Sequence, residues 1–231
     1  MKISIRGPIV SSNQHRLYQW YGLEATSPKS VADALAKSNG ERAEVEINSG
    51  GGEIFAASEI YTALRNYTGG VYIRIVGLAA SAASIIAMAG ESEMTPTGMM
   101  MIHNVQTEAS GDYRQMEHTA GVLRDANHAI TSAYIAKTGK TEQEIAAMMD
   151  AETWITAERA VELGLVDRVM QMDAGQKPLA ADFYSGMLSE DALQRAENMI
   201  RSQAVGPDFF IPERAQAEAK LKFLKLKGEL K

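Results

Sequence analysis

The sequence predicts an α/β protein built around a mainly parallel sheet, and three observations carry that reading. Short stretches with apolar residues at every second position alternate with stretches of helical periodicity between residues 43 and 90. A glycine run, Gly50-Gly51-Gly52, separates the first such strand from the helix that follows it. The run VYIRIVGLAASAASIIAMAG, Val71 to Gly90, turns from strand to small-residue helix at Ser81. Strand, helix, strand, helix is the signature of a parallel sheet with helices on its faces. Right-handed crossovers bring successive strand ends to one edge, so the Gly50 and Ser81 turns are expected to be neighbours.

Met1 to Val10 alternates as a first strand, and Ser11 to Glu24, polar and aromatic without clear period, reads as a loop or hairpin. Ser30 is the expected cap of a helix in which Val31, Ala34 and Leu35 recur before the stop at Gly40. Ala43, Val45 and Ile47 alternate as the next strand. Ile54, Ala57, Ile60, Tyr61 and Leu64 then share one helix face, ending at Gly69-Gly70. Val71 to Val76 and Ala82 to Ala89 are the second strand and helix, and Met99 to Ile102 a third strand ending at His103. Gly111 to Gly139 carries one apolar stripe through Tyr113, Met116, Ala120, Leu123, Ala126, Ile130 and Tyr134. Thr141 with Glu144 forms a capping box. Trp154 and Ile155 are extended, Thr156 caps the helix Ala157 to Leu163, Gly164 ends it, and Leu165 to Met172 is the last core strand.

A chain of 231 residues holds one domain with an appendage or two small ones. The division predicted here is a domain over 1–172 and a linker with a charged helical extension over 173–231. The net charge of −6 disfavours non-specific nucleic-acid binding, and no apolar run has the length of a signal peptide or membrane span. With no cysteine there is no disulfide, thiolate nucleophile or Cys-ligated metal. A cytoplasmic home, in a bacterial host or a phage procapsid, is the expectation.

Amide hydrolysis by serine needs a hydroxyl, a base in reach of it, a group that orients the base, and N–H donors for the oxyanion. Ser81 is the candidate nucleophile, His103 the base, Asp150 or Glu152 the orienting carboxylate. The Gly51-Gly52 turn and the Ala82 amide are the candidate donors. Serine at a helix start also serves as an N-cap, and glycine runs also serve as plain turns. His15, His118 and His128 read as surface residues, and Ser84, one turn into its helix, as pointing into packing. A catalytic His103 paired with a nearby carboxylate is expected to titrate at about 6.5 or somewhat above.

The blocks INSGGGEIFAASEIY, GLAASAASIIAMAG, MMMIHN and ITAERAVELGLVD resemble, in order and spacing, those of the Clp protease proteolytic subunit family, peptidase S14. The start KISIRGPI and the ETW block are similar to the Clp-like head maturation proteases of phages and prophages. The resemblance implies the ClpP/crotonase-like fold, α/β with stacked ββα units and a protruding handle helix over Gly111 to Gly139. It implies Ser81 as nucleophile, His103 as base, and the Gly52 and Ala82 amides as oxyanion donors. Alignment from the TAERAVELGLVD block puts the family's aspartate on Glu152, with Asp150 in reserve. Gly50 stands where the family usually has proline. The implied protein is an endopeptidase, ATP-independent by itself, cutting protein or peptide substrates inside a homo-oligomer, a heptameric ring or stacked rings. Phage capsid or scaffold protein is the implied substrate class. The sequence starts at its first strand, without the family's pore-lining segment, so docking to an ATPase is not among the expectations. No Walker-type loop is present, and neither cofactor nor metal is expected.

Two other readings fit parts of this pattern. A crotonase-type acyl-CoA enzyme would also use a glycine-turn oxyanion hole without needing Ser81 and His103 together. A catalytically silent assembly protein would keep the ring but not the chemistry. A signal-peptide-peptidase relative with a Ser-Lys dyad lacks both an anchor and an evidently placed lysine.

Overall fold

The computed structural model describes residues 1–171; the extension expected over 173–231 lies outside the described residues. Seven strands form one sheet in the order β1-β2-β3-β4-β7, with β5 paired to β3 and β6 to β5. They are β1 (Lys2–Arg6), β2 (Ala43–Ser49), β3 (Val71–Ala80), β4 (Glu91–Met94), β5 (Met99–Ile102), β6 (Thr153–Thr156) and β7 (Arg168–Val169). Every pairing is parallel except β5 with β6. The helices are α1 (Ser12–Trp20), α2 (Pro28–Lys37), α3 (Ile54–Arg65), α4 (Ala82–Ala87), α5 (Tyr113–Thr138), α6 (Glu142–Asp150) and α7 (Ala157–Glu162).

Strand alternation sorts the two faces of the sheet. Ile3, Ile5, Val45, Ile47, Ile73 and Ile75 are buried and join one apolar cluster with Val31 and Leu35 of α2 and Ala57, Ile60 and Leu64 of α3. Each such aliphatic side chain contributes about 1.5–3 kcal/mol by leaving water, so this layer is the main stabilising term. The intervening residues carry charge. Lys2 pairs with Glu46 at 2.7 Å, Arg74 with Glu44 at 3.0 Å and Glu93 at 2.8 Å, and Arg168 with Glu91 at 2.9 Å. The exposed pair Arg168–Glu91 contributes at most about 1 kcal/mol, whereas Glu46 and Glu93 are largely buried and need their cationic partners to offset the loss of water.

Four sequence expectations change. The segment expected as a loop or hairpin after Val10 contains α1, capped by Ser11 through a 3.4 Å bond from the Gln14 N–H. Only Leu17 and Tyr18 of α1 are buried, so it lacks the apolar stripe that reveals a helix in sequence. Helix α2 starts earlier than expected: Ser27, not Ser30, is its N-cap. Ser30 is the N3 partner whose Oγ accepts from the Ser27 N–H at 3.0 Å, with Pro28 just inside the helix. Strand β4, ESEM, was not anticipated, since its alternating glutamates imitate a polar loop; parallel pairing with β3 buries Ser92 and Met94 between them. The last strand contracts to Arg168–Val169, while Leu165 and Val166 are buried in the preceding turn.

Strand β3 forks. Its first half, Tyr72 to Ile75, pairs with β4, and its last residues, Leu78 to Ala80, pair with β5. Between β2 and β3 the register slips from Ile47↔Ile75 to Ser49↔Ala79, a bulge that turns the end of β3 away from its first half. Gly77 fits there because a Cβ would lie 2.5 Å from Asn48 Oδ1, the atom that accepts from the Leu78 N–H at 3.0 Å. Helix α5 is 26 residues long, and its first two turns, Tyr113 to Glu117 among them, are exposed, so it projects from the sheet as a handle.

Candidate active site

Ser81 occupies the one-residue joint between β3 and α4 with φ 53° and ψ −127°, a conformation non-glycine residues rarely adopt. Its N–H donates to the Met101 carbonyl at 2.9 Å, tying the joint to β5. The capping alternative for this serine does not hold: Ser81 stands at the N-cap position but makes no side-chain capping bond. Its Oγ instead lies 2.7 Å from His103 Nε2, at the exit of β5. Strands β3 and β5 pair in parallel as Ala80↔Met101, which sets Ser81 and His103 side by side at the ends of both strands. For Ser81 to donate its proton, Nε2 must be the unprotonated nitrogen, and the proton sits on Nδ1.

His103 Nδ1 is buried and has no hydrogen-bond partner. The charge that acts on the ring is that of Glu152, in the turn between α6 and β6. The antiparallel register Ile102↔Thr153 sets the residue before Thr153 beside the residue after Ile102, so Glu152 flanks His103. Burial pulls the His103 pKa below its ordinary 6.5, and the Glu152 charge pushes it back up by less. The net direction is down, which corrects the expectation of a value at or above 6.5. Glu152 is exposed, has φ 46°, and donates its N–H to the Met149 carbonyl at 3.0 Å. Asp150 turns elsewhere: its Oδ1 accepts from Asn104 Nδ2 at 2.8 Å.

The glycine turn meets the serine joint as the crossover argument requires. A Cβ on Gly51 would lie 2.7 Å from the Ala80 carbonyl oxygen, 2.8 Å from Ser81 Cβ and 3.0 Å from Ala82 N. From the other side the turn is held by Ile9, whose N–H donates to the Gly51 carbonyl at 2.8 Å and whose carbonyl accepts from the Glu53 N–H at 2.8 Å. Backbone passes so close to Gly52 that a Cβ there would lie 2.1 Å from the Ile9 carbonyl oxygen. Ala82 is the first residue of α4, where a backbone N–H has no intrahelical acceptor and the helix dipole is positive.

Gly52, Ser81, Ala82 and His103 open onto one cleft of about 780 Å³. Its apolar lining comes from α5, through Val122, Leu123, Ala126, Ile130 and Tyr134, and from Ile85 of α4. Val10, Gln14 and Tyr18 line it as well. The last two belong to α1, whose role in the site the sequence concealed along with the helix itself. Ser84 is fully buried, as its helical spacing implied. His118 and His128 are exposed, His128 with its Nδ1 2.6 Å from Glu142. His15 differs from the expected surface residue: it is half-buried, with Nε2 3.1 Å from the Ala25 carbonyl. No cluster of three or more potential metal ligands occurs among the described residues. No helix among them is long and apolar enough to cross a membrane.

Comparisons with known proteins find similar sequences and a similar fold. The chain is 28% identical over 159 residues to the ATP-dependent Clp protease proteolytic subunit 1 of Chlamydia abortus, covering 64% of this chain and 83% of that protein. It is 31% identical over 144 residues to the protein of that name from Streptomyces avermitilis, covering 61% and 66% respectively. A solved ClpP1 mutant from Listeria monocytogenes shares the fold with a TM-score of 0.61 at 21% identity, covering 74% of this chain and 91% of that one. The sequence profile described as Clp protease matches residues 31–173, which include the glycine turn, Ser81, His103 and Glu152, and the chain therefore belongs to the Clp protease family.

Proposed function

We propose that this protein is a serine endopeptidase of the Clp type in which Ser81, His103 and Glu152 act on a peptide bond held in the α5-lined cleft. The observation that carries the reading is the 2.7 Å contact between Ser81 Oγ and His103 Nε2 on a joint that leaves the serine uncapped. Ser81 Oγ attacks the substrate carbonyl carbon while its proton passes to His103 Nε2. The carbonyl oxygen becomes an oxyanion facing the Gly52 and Ala82 N–H groups. His103 then gives that proton to the departing amine. Water, deprotonated by the same nitrogen, hydrolyses the acyl-serine and restores the hydroxyl.

Glu152 is the orienting carboxylate in this reading. Its charge already acts on the ring, and Nδ1 waits without a partner. A rotation of the Glu152 side chain to accept from Nδ1 completes the triad, and a glutamate reaches one methylene further than an aspartate in the same turn. Asp150, occupied by Asn104, is not assigned this role.

The finer assignments rest on the resemblance in the KISIRGPI and ETW blocks. We assign a homo-oligomeric ring with the clefts facing an inner chamber, and capsid or scaffold protein of a phage or prophage as substrate. Light scattering on the full chain tests the ring, which requires a multiple of the 25.1 kDa protomer near seven or fourteen copies. The test of the chemistry is a fluorophosphonate probe applied to the full chain. Labelling at Ser81, lost in Ser81→Ala together with peptide hydrolysis, is the expected result; labelling that persists in that variant removes Ser81 as nucleophile. The unpartnered Nδ1 favours one rival, a ring without chemistry, which predicts no labelling at all.

A further inference from the structure

The base of the handle helix touches the serine joint through two buried hydroxyls that the proposed mechanism does not use. Tyr134, in the last turns of α5, is 1% exposed, and Ser84 of α4 is fully buried. Ser84 Oγ donates to the Ser81 carbonyl at 2.6 Å and lies 2.7 Å from the Tyr134 hydroxyl. A serine hydroxyl has a single proton, and this one goes to a carbonyl that can only accept. The Tyr134 O–H is therefore the donor of the second bond. Burial pushes the Tyr134 phenol well above its ordinary value, so it stays protonated and donating throughout the working range of pH.

A serine one turn into a helix often bonds the carbonyl three residues back, and that bond alone assigns no function. The tyrosine adds what local habit does not supply: a completely buried donor, brought from a separate helix, aimed at that same hydroxyl. The carbonyl at the end of the relay belongs to the peptide unit joining Ser81 to Ala82. That unit is planar and trans, so its C=O and N–H point in opposite directions and turn together. Fixing the Ser81 carbonyl fixes the direction of the Ala82 N–H. Ser81 needs such restraint, because φ 53° persists in a non-glycine residue only where the surroundings over-determine it.

We infer that Tyr134 and Ser84 are positioning residues for the oxyanion hole, a hydrogen-bonded relay from α5 that holds the Ser81–Ala82 peptide with its N–H aimed at the developing charge. The inference rests on the assignment of Ser81 and the Ala82 amide under the proposed function. It gives the two residues a part in the transition state that acts through the Ser81–Ala82 peptide, although Tyr134 also lines the cleft.

The test compares the full chain with Tyr134→Phe, Ser84→Ala and the double variant, the last leaving no unpaired hydroxyl behind. Each is measured for hydrolysis of a fluorogenic peptide, for the rate of inactivation by a fluorophosphonate, and for thermal melting. Losing one relay bond is expected to lower kcat about five- to tenfold with KM unchanged. Inactivation slows in parallel, because the tetrahedral phosphorus places an oxygen in the same hole. The double variant falls no further than the more affected single variant, since the two hydroxyls act as one unit. The pH midpoint stays where it is in the parent, because His103 is untouched. A melting temperature that drops while kcat per folded molecule stays constant overturns the inference, as does a loss confined to KM or losses that multiply in the double variant. A parent protein that neither labels at Ser81 nor cleaves peptide overturns the proposed function instead.

Discussion

Gly51→Ala is the sharpest perturbation available at the interface between the glycine turn and the serine joint. The new methyl would lie 2.7 Å from the Ala80 carbonyl oxygen, 2.8 Å from Ser81 Cβ and 3.0 Å from Ala82 N, all of them far inside ordinary contact. None of these atoms is the loose end of a side chain, so the two turns must separate by something over half an ångström. Gly51 also has φ +98°, which costs an alanine about 1–3 kcal/mol. At about 2–4 °C per kcal/mol for a chain of this size, the melting temperature should fall by roughly 5 °C. Activity should fall much more, because a shift of that size between nucleophile and oxyanion donors costs about a hundredfold in kcat/KM. Gly22→Ala serves as the control: φ +67° imposes comparable backbone strain, but nothing lies within 4 Å of the added carbon and the residue is not in the cleft. Peptide hydrolysis and differential scanning calorimetry on both variants separate strain from geometry. If Gly51→Ala loses no more activity than Gly22→Ala, the juxtaposition of these two turns does not form the oxyanion site.

Because burial holds the His103 pKa below 6.5, the imidazole is neutral and able to act as base at lower pH than a free histidine. The kcat/KM profile should therefore rise through a midpoint below 6.5. Glu152→Gln removes the charge that pushes the value up, so its midpoint should move further down while kcat also drops; a midpoint that moves up would refute the electrostatic assignment. Asp150→Asn should leave kcat within about threefold of the parent in the same assay, since Asp150 bonds Asn104 rather than the imidazole. Lys137 donates to the Gly90 carbonyl at 2.9 Å and to Asp167 at 2.5 Å, joining α5 to the residue before β4 and to the residue before β7. Lys137→Met should cost about 2 kcal/mol in denaturant unfolding, with activity per folded molecule retained.

The sequence was most informative where local chemistry and period agree. Thr141 with Glu144, Thr156, and the glycines at 139 and 164 bound their helices as read, because capping bonds and left-handed stops are made within a few residues of each other. It was least informative where a segment owes its form to distant partners. Helix α1 has no stripe of its own, and β4 becomes a strand only because β3 offers it a parallel edge. The same division runs through the site. Taken alone, the segment around Ser81 reads more readily as a helix cap, and only the tertiary structure shows that the side chain makes no capping bond and lies 2.7 Å from His103 Nε2.

The order of glycine turn, serine joint, histidine at a strand end and following carboxylates was settled by the chain itself, since each is a local signal in a fixed succession of elements. Their convergence was not. The parallel pairing of β3 with β5 and the bulge against β2 bring residues 51, 81 and 103 together. Partial burial turns the His103 pKa downward, and only helix packing joins Tyr134 to Ser84. Distances, desolvation and the partner of a buried proton are properties of what surrounds a residue in space, and a one-dimensional pattern records neighbours in the chain alone.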